Sequence, residues 1–541
     1  MTDTQEVALP TAEPARMLSP LQQAVLDWVV QSTGSLLLVA RAGCGKTTTI
    51  MELVKFLVSH TAASISIFVG AFNRPIADEL TARLEAAGLP WRNAQANTWH
   101  GAGLAGWRKF MGWSPTEASR HIDDKKLGIL LDEEMKTEEQ KMKLEPYRKL
   151  ILDLVSLAKQ RVFGVLCAVE DQSKWFDIID HFGMDEDLPE DADLDFVVRV
   201  AVWLYKRSLA RCREIIDYDD MILAPLFFKV KLWQYDWVMG DESQDFNPAR
   251  RALAMKLMKP RTGRLVAVGD DRQAIYGFTG ADIDSMDLVR SAVNAHTLPL
   301  NVTYRCPKVV VRRAQQYVPD FEAHPSAPEG VERTIWLMPA QEGCPKRPTI
   351  KEEHFTADDV ILCRNTKPLV EVAYDLLRRG VPCRIEGRNI ADGLVALINR
   401  WKATGTAALA KRLVEYRDWE VQKWMAKGKE QKAEEISDKV ETLLVMINQL
   451  TVDGKTKVSE LVSFIVGMFG DTPQGQKPRC LTLSTVHKAK GREWPRVYLL
   501  GADKYMPSKW ARKEWQLQQE YNLCYVALTR AQREIIDVVV E

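Results

Sequence analysis

Short apolar, β-branched runs alternate along this chain with longer stretches in which apolar positions recur every three or four residues. The short runs are Leu36–Val39, Ile65–Val69, Trp237–Met239 and Leu265–Val268 in the first half, then Val360–Cys363, Val497–Leu500 and Ile535–Val540 in the second. A run that is apolar on both faces fits a strand covered on both sides, and alternation with helical patterns fits parallel sheets. The pattern therefore predicts an α/β fold with two separate parallel sheets.

Between the second and third runs, helical periodicity with mixed charge and aromatic pairs such as Trp107/Phe110 and Trp175/Phe176 predicts a helical insertion over residues 105–204. A second, more compact helical insertion is expected over 389–475; its charged run, Lys427 to Glu435, reads as a solvated helix face, with a DNA-binding element as the alternative. The first α/β domain would then comprise residues 1–104 and 205–288, and the second 289–388 and 476–541. Pro339 to Pro348 reads as a loop.

Composition narrows the class. At 541 residues the chain exceeds what one core supports, and 46% apolar with 27% charged residues excludes a fibrous or disordered chain. Lys plus Arg equals Asp plus Glu at 73 each, so attraction to a polyanion must come from local patches. The 9 cysteines form no CxxC pair and no His/Cys ligand spacing, which argues against a zinc site, an iron–sulfur cluster and a disulfide framework, and favours a reducing, cytoplasmic setting. No apolar stretch is long enough for a bilayer, and no signal-peptide pattern opens the chain, so no membrane association is expected.

The chemistry begins after the first run, at Arg41, Ala42, Gly43, Cys44, Gly45, Lys46, Thr47 and Thr48. This spacing between a strand and a helix makes a phosphate-binding loop. Its glycines let backbone N–H groups turn inward, Lys46 reaches the β and γ phosphates, Thr47 ligates Mg²⁺, and the helix aims its positive end at the anion. The third run ends in Asp241 and Glu242. Two carboxylates delivered by a buried strand suit ATP hydrolysis, Asp241 holding Mg²⁺ and Glu242 polarising the attacking water. The fourth run leads to Gln273, whose amide suits γ-phosphate sensing, and to Phe278, an aromatic able to stack on a base.

In their order these motifs resemble the UvrD/Rep-like helicases of superfamily 1, and the likeness runs from end to end. Leu18 to Gln22 resembles the adenine-reading motif, with Gln22 as reader. Ala71-Phe72-Asn73-Arg74 and Thr98-Trp99-His100-Gly101 are similar to two motifs that grip single-stranded DNA, which implicates Phe72, Asn73, Thr98 and His100. Asp217 to Met221 resembles the acidic motif before the DExQD box. Thr303-Tyr304-Arg305-Cys306 resembles the motif whose tyrosine stacks on adenine and whose arginine points at the γ-phosphate. Thr482 to Pro495 is similar to the fifth motif, which implies DNA contacts by Thr485 and His487 and ATP coupling by Gly491 and Glu493. Glu520 to Ala531 resembles the sixth, with Arg530 as arginine finger.

The resemblance implies two RecA-like domains with a helical insertion in each, ATP and Mg²⁺ as cofactors, and single-stranded DNA and its junctions with duplex as partners. It implies a 3′ to 5′ translocase and helicase in repair, recombination or replication, working with repair, replication or nuclease proteins. The alternative is a DNA-stimulated regulatory ATPase subunit of a nuclease or defence complex that does not unwind on its own. The compact second insertion favours translocation over autonomous processive unwinding. Arg41 and Thr279 depart from the family's usual glycine and arginine; a left-handed backbone at Arg41 would cost about 1 kcal/mol, and the alternative reading is that its charge supplements phosphate binding.

Overall fold

The computed structural model describes residues 18–61, 65–134, 137–185, 192–275, 284–338, 347–379, 381–386, 388–401, 403–426, 430–469, 480–511 and 514–540. Among them are two six-stranded sheets whose neighbouring strands all run parallel.

The first sheet contains β1 (Leu36–Ala40), β2 (Ile67–Ala71), β3 (Ala94–Thr98), β4 (Trp237–Gly240), β5 (Arg264–Gly269) and β6 (His296–Leu300), in the order β3-β2-β4-β5-β1-β6. A two-stranded pair, β7 (Val302–Thr303) and β8 (Glu322–Ala323), follows. The second sheet contains β9 (Val331–Trp336), β10 (Asp359–Cys363), β11 (Cys383–Ile385), β12 (Leu481–Thr485), β13 (Trp494–Leu500) and β14 (Ala531–Val539), in the order β11-β12-β10-β13-β14-β9. The expected α/β class with two parallel sheets is what the chain adopts. One boundary differs: β6 pairs with β1 along Leu36↔His296 to Ala40↔Leu300, so the first lobe reaches past residue 288 to at least residue 300.

The segment between β3 and β4 is largely helical, from Trp99–Met111 to Leu194–Ala210. It shares one apolar cluster with the sheet, in which Trp107, Leu154, Trp175 and Tyr205 join Phe68, Val238 and Leu253. Beneath it lies a buried charge lattice, with Lys126 Nζ 2.6 Å from Asp220 and Lys159 Nζ 2.5 Å from Asp217 and 2.8 Å from Asp220. Buried ions of this kind need such mutual pairing to offset desolvation.

The helices Thr406–Ala426, Glu430–Val452 and Val458–Phe469 contribute to the apolar cluster on one face of the second sheet. The charged run is not simply a solvated face: residues 430–435 lie on a helix where Glu434 accepts a 2.7 Å bond from the Ser508 hydroxyl. Residues 427–429 lie outside the described residues. The cluster on the other face of the second sheet includes Val310, Leu523 and Tyr525, and it also takes in Ala42 and Ile275 from the first lobe.

Candidate ATP and DNA site

Strand order sorts the predicted residues by role. Ligand-facing loops of parallel sheets lie at the C-terminal strand ends. The phosphate loop follows β1, Asp241 and Glu242 follow β4, and Gln273 follows β5, so these three central strands meet at one place. Phe72 and Asn73 follow β2, while Thr98 closes β3 and His100 follows it, placing the DNA candidates beside that site toward one edge.

The phosphate loop is shaped by two left-handed glycines, Gly43 at φ +69° and Gly45 at φ +85°. Gly45 opens the helix Lys46–His60, which directs free N–H groups toward the loop. Lys46 Nζ lies 3.2 Å from Glu242, and the Thr47 hydroxyl lies 3.4 Å from Asp241 Oδ2. Thr48 is in the first turn of the same helix. Cys44 is a buried thiol whose pKa burial pushes up to about 12, so it is a neutral wall of the loop.

Glu242 has a left-handed backbone, φ +51°, a conformation that costs about 1–2 kcal/mol for a residue with a Cβ. Its carboxylate is engaged by Gln244 Nε2 as well as Lys46. Burial and the neighbouring Glu242 push the Asp241 carboxyl up, whereas Lys46 and Lys490 outweigh burial at Glu242 and hold it below the ordinary carboxylate range. Burial alone would lower Lys46, but Glu242, Asp270 and Asp241 raise it to about 12, so it is a permanent cation.

The second lobe closes on this loop. A Cβ on Gly43 would lie 2.5 Å from Arg305 Cβ and 2.7 Å from the Thr303 hydroxyl, and the Tyr304 N–H donates to the Gly43 carbonyl at 2.9 Å. Only a residue without a side chain fits there. The Ala42 N–H donates to the Tyr525 hydroxyl at 2.8 Å, and that hydroxyl donates to Asp270 at 3.2 Å. Asn522 donates to the Ala274 carbonyl at 3.0 Å. Arg305 is ion-paired with Glu493, and the Tyr304 ring is half-exposed beside His324.

Three predicted residues are occupied differently from their expected roles. Gln22 uses its amide to cap its own helix through Ser19 and donates to Thr49 at 3.1 Å; it lies against Gly45, at the first turn of the phosphate-loop helix. Gln273 donates to Asp270 at 2.7 Å. Arg530 is buried and directs its N–H groups to the Val526 and Arg492 carbonyls, both at 2.9 Å, and to the Thr529 hydroxyl at 3.1 Å. Burial, then the proximity of Arg305, lowers its pKa to about 10. Gly491 is left-handed at φ +83° with open space around it.

Among the DNA candidates, Asn73 caps the helix Arg74–Ala86 and Thr98 caps Trp99–Met111, which fixes both side chains at strand ends. Phe72 is half-buried under the Arg250 guanidinium, 4.7 Å from the ring centre. Burial and Arg250 lower His100 to about 4; burial and Arg364 lower His487 to about 3, so both imidazoles are neutral at physiological pH. Thr485 ends β12, the second strand of its sheet, between β11 and β10. Phe278 and Thr279 lie outside the described residues.

Arg250, Gln244, Asp270, Asn522 and Tyr525 complete these surroundings without having been singled out individually. No local signal marks Arg250, an arginine on an ordinary helix. Gln244 and Tyr525 lie inside recognised motifs, and their partners in other strands and lobes are what reveals them.

Residues 21–294, half of the chain, match the UvrD/REP helicase N-terminal domain, and residues 481–536 match the UvrD-like helicase C-terminal domain. The chain is 21% identical to the ATP-dependent DNA helicase PcrA of Staphylococcus epidermidis, over 92% of this chain and 80% of that one. It is 22% identical to the PcrA helicase of Staphylococcus aureus, over 61% of this chain and 59% of that protein, and 21% identical to DNA helicase II of Haemophilus influenzae, over 59% and 58%. With motifs for nucleotide and DNA in order on two parallel sheets, and both ends matched, the chain belongs to the UvrD/REP family of ATP-dependent DNA helicases.

Proposed function

We propose that the chain is a 3′ to 5′ DNA translocase that couples ATP hydrolysis in the inter-lobe cleft to movement along a single strand. The observation that carries this reading is the contact of Gly43 with Thr303 and Arg305: the loop that would hold the phosphates is completed by the opposite lobe. A triphosphate between them would add negative charge that Lys46, Arg305 and Arg530 share, and its cleavage would remove the attraction that favours closure. Thr47 and Asp241 oxygens face each other at 3.4 Å, a hard-oxygen pair that would hold Mg²⁺, which would supply positive charge to offset that of the phosphates. Glu242 would orient and deprotonate the attacking water. Arg530 reaches this role by exchanging one carbonyl partner for a phosphate oxygen, and Gln273 by leaving Asp270.

DNA would lie across the ends of β2, β3 and β12, held by Phe72, Asn73, Thr98, His100, Thr485 and His487 through stacking and neutral hydrogen bonds. Two grips on one strand, brought together and released once per ATP, move the protein along it. We assign residues 105–204 and 389–475 to the two insertions, and processes of repair, recombination or replication to the activity.

Strand displacement on 3′-tailed and 5′-tailed duplexes, alongside ATPase rates with and without single-stranded DNA, tests the proposal. Stimulation by single strands and unwinding only from the 3′ tail are expected. ATPase indifferent to DNA overturns it, and stimulation without strand displacement favours a translocating regulatory subunit.

A further inference from the structure

Arg41 opens the phosphate loop, yet it does not face the space where phosphates would lie. Its backbone is outside the left-handed region, so nothing in the main chain demands glycine. Its guanidinium, buried to 9% exposure, is the hub of three carboxylates. Nη1 lies 3.1 Å from Asp270 and 2.5 Å from Asp271, and Nε and Nη2 lie 3.0 to 3.2 Å from Asp320.

The partners differ in kind. Asp270 is fully buried, and its other oxygen accepts from Gln273 and from the Tyr525 hydroxyl. Lys46 and Arg41 are the cations that act on it. Asp320 is half-exposed and lies between the helix Lys308–Ala314 and β8, in the segment packed against the second sheet. Arg41 thus joins a carboxylate at the back of the phosphate loop to one on the opposite lobe.

We propose that Arg41 is a positioning residue for the nucleotide: by neutralising Asp270 it removes one of the carboxylates that compete with phosphate for Lys46, and by holding Asp320 it makes that state depend on lobe closure. The inference rests on the reading of the cleft as the ATP site. Without Arg41, the buried Asp270 carboxylate stands behind the phosphates with Lys46 as its remaining counter-ion. It then competes for Lys46 and repels the incoming anion. Replacing Asp270 with a neutral amide removes both effects, which separates charge compensation from mere structural support.

The experiment uses the full chain, with affinity for a fluorescent ATP analogue, DNA-stimulated kcat and KM, and melting temperature without nucleotide as readouts. Arg41→Gly is expected to weaken analogue binding roughly tenfold. Arg41→Lys keeps the charge and should retain most of the affinity. Asp320→Asn removes only the second-lobe arm and should lower kcat more than it weakens affinity. Adding Asp270→Asn to Arg41→Gly should restore analogue affinity. Unchanged affinity in Arg41→Gly, or no recovery in the double variant at equal melting temperature, overturns the proposal. If Arg41→Gly does not fold, a kcat in Asp320→Asn unchanged from wild type overturns it. A wild-type chain that binds no analogue would instead refute the reading of the cleft.

Discussion

Lys490 and Asp245 form an ion pair across the two lobes, with Nζ 2.8 Å from Oδ2 and 2.9 Å from Oδ1 and both side chains less than a tenth exposed. Asp245 is three residues beyond Glu242, and Lys490 three beyond His487. The pair therefore links the turn that carries the proposed hydrolytic carboxylate to the segment proposed to hold DNA. Its attraction is strong only while water is excluded, so parting the two lobes would lose it.

Removing one partner of a buried pair leaves the other charge desolvated. Lys490→Ala is expected to lower stability by about 3 kcal/mol in denaturant titration, and to reduce stimulation of ATPase by DNA more than the DNA-free rate. Equal losses in both rates would show that the pair supports the fold alone.

Glu242→Gln keeps the shape and the left-handed turn but removes the base. Turnover should fall about 10²–10⁴-fold while nucleotide binding persists in equilibrium titration. Retained hydrolysis would assign the base elsewhere.

Arg530→Ala should slow single-turnover hydrolysis by about 10³-fold if the guanidinium stabilises the transition state. Because Arg530 also ties the Val526 and Arg492 carbonyls, the melting temperature will fall as well. Arg530→Lys, which restores a cation without the planar fork, should recover stability better than rate.

His100 and His487 carry pKa values depressed to about 4 and about 3, below the ordinary 6.5 of an unfolded chain. The unfolded state then binds more protons below pH 6.5, so stability is fully present above that value and declines on acidification toward pH 3 to 4. Replacing both with Gln should flatten the stability profile between pH 6.5 and 4, measured by thermal unfolding across the range. At pH 6 to 7.5 the salt dependence of DNA binding should not steepen on acidification, since neither imidazole gains a charge there.

What was legible in the chain follows from burial. β1, β2, β4, β5, β10 and β13 are largely covered on both faces and declare themselves as apolar runs, as does the C-terminal part of β14. β3, with the sequence Ala-Gln-Ala-Asn-Thr, β6, which contains Pro299, and the short β11 sit at or beside sheet edges. Half-exposed strands need no continuous apolar run, so they escape a search for one. β12 is fully buried, but its Thr and Ser positions disguise it. The loop residues of the site were readable because each motif is local. Arg41 with Asp320, 279 positions apart, and Lys490 with Asp245, 245 apart, were not, because charge at a distance in sequence names no partner.

Ala42 and Ile275 sit within the apolar cluster of the opposite lobe. Parting the lobes would hydrate that greasy seam and rejoining them would dry it again, so such an opening would carry a heat-capacity change that polar contacts alone would not produce. Because drying weakens on cooling, the two lobes would gape more readily in the cold.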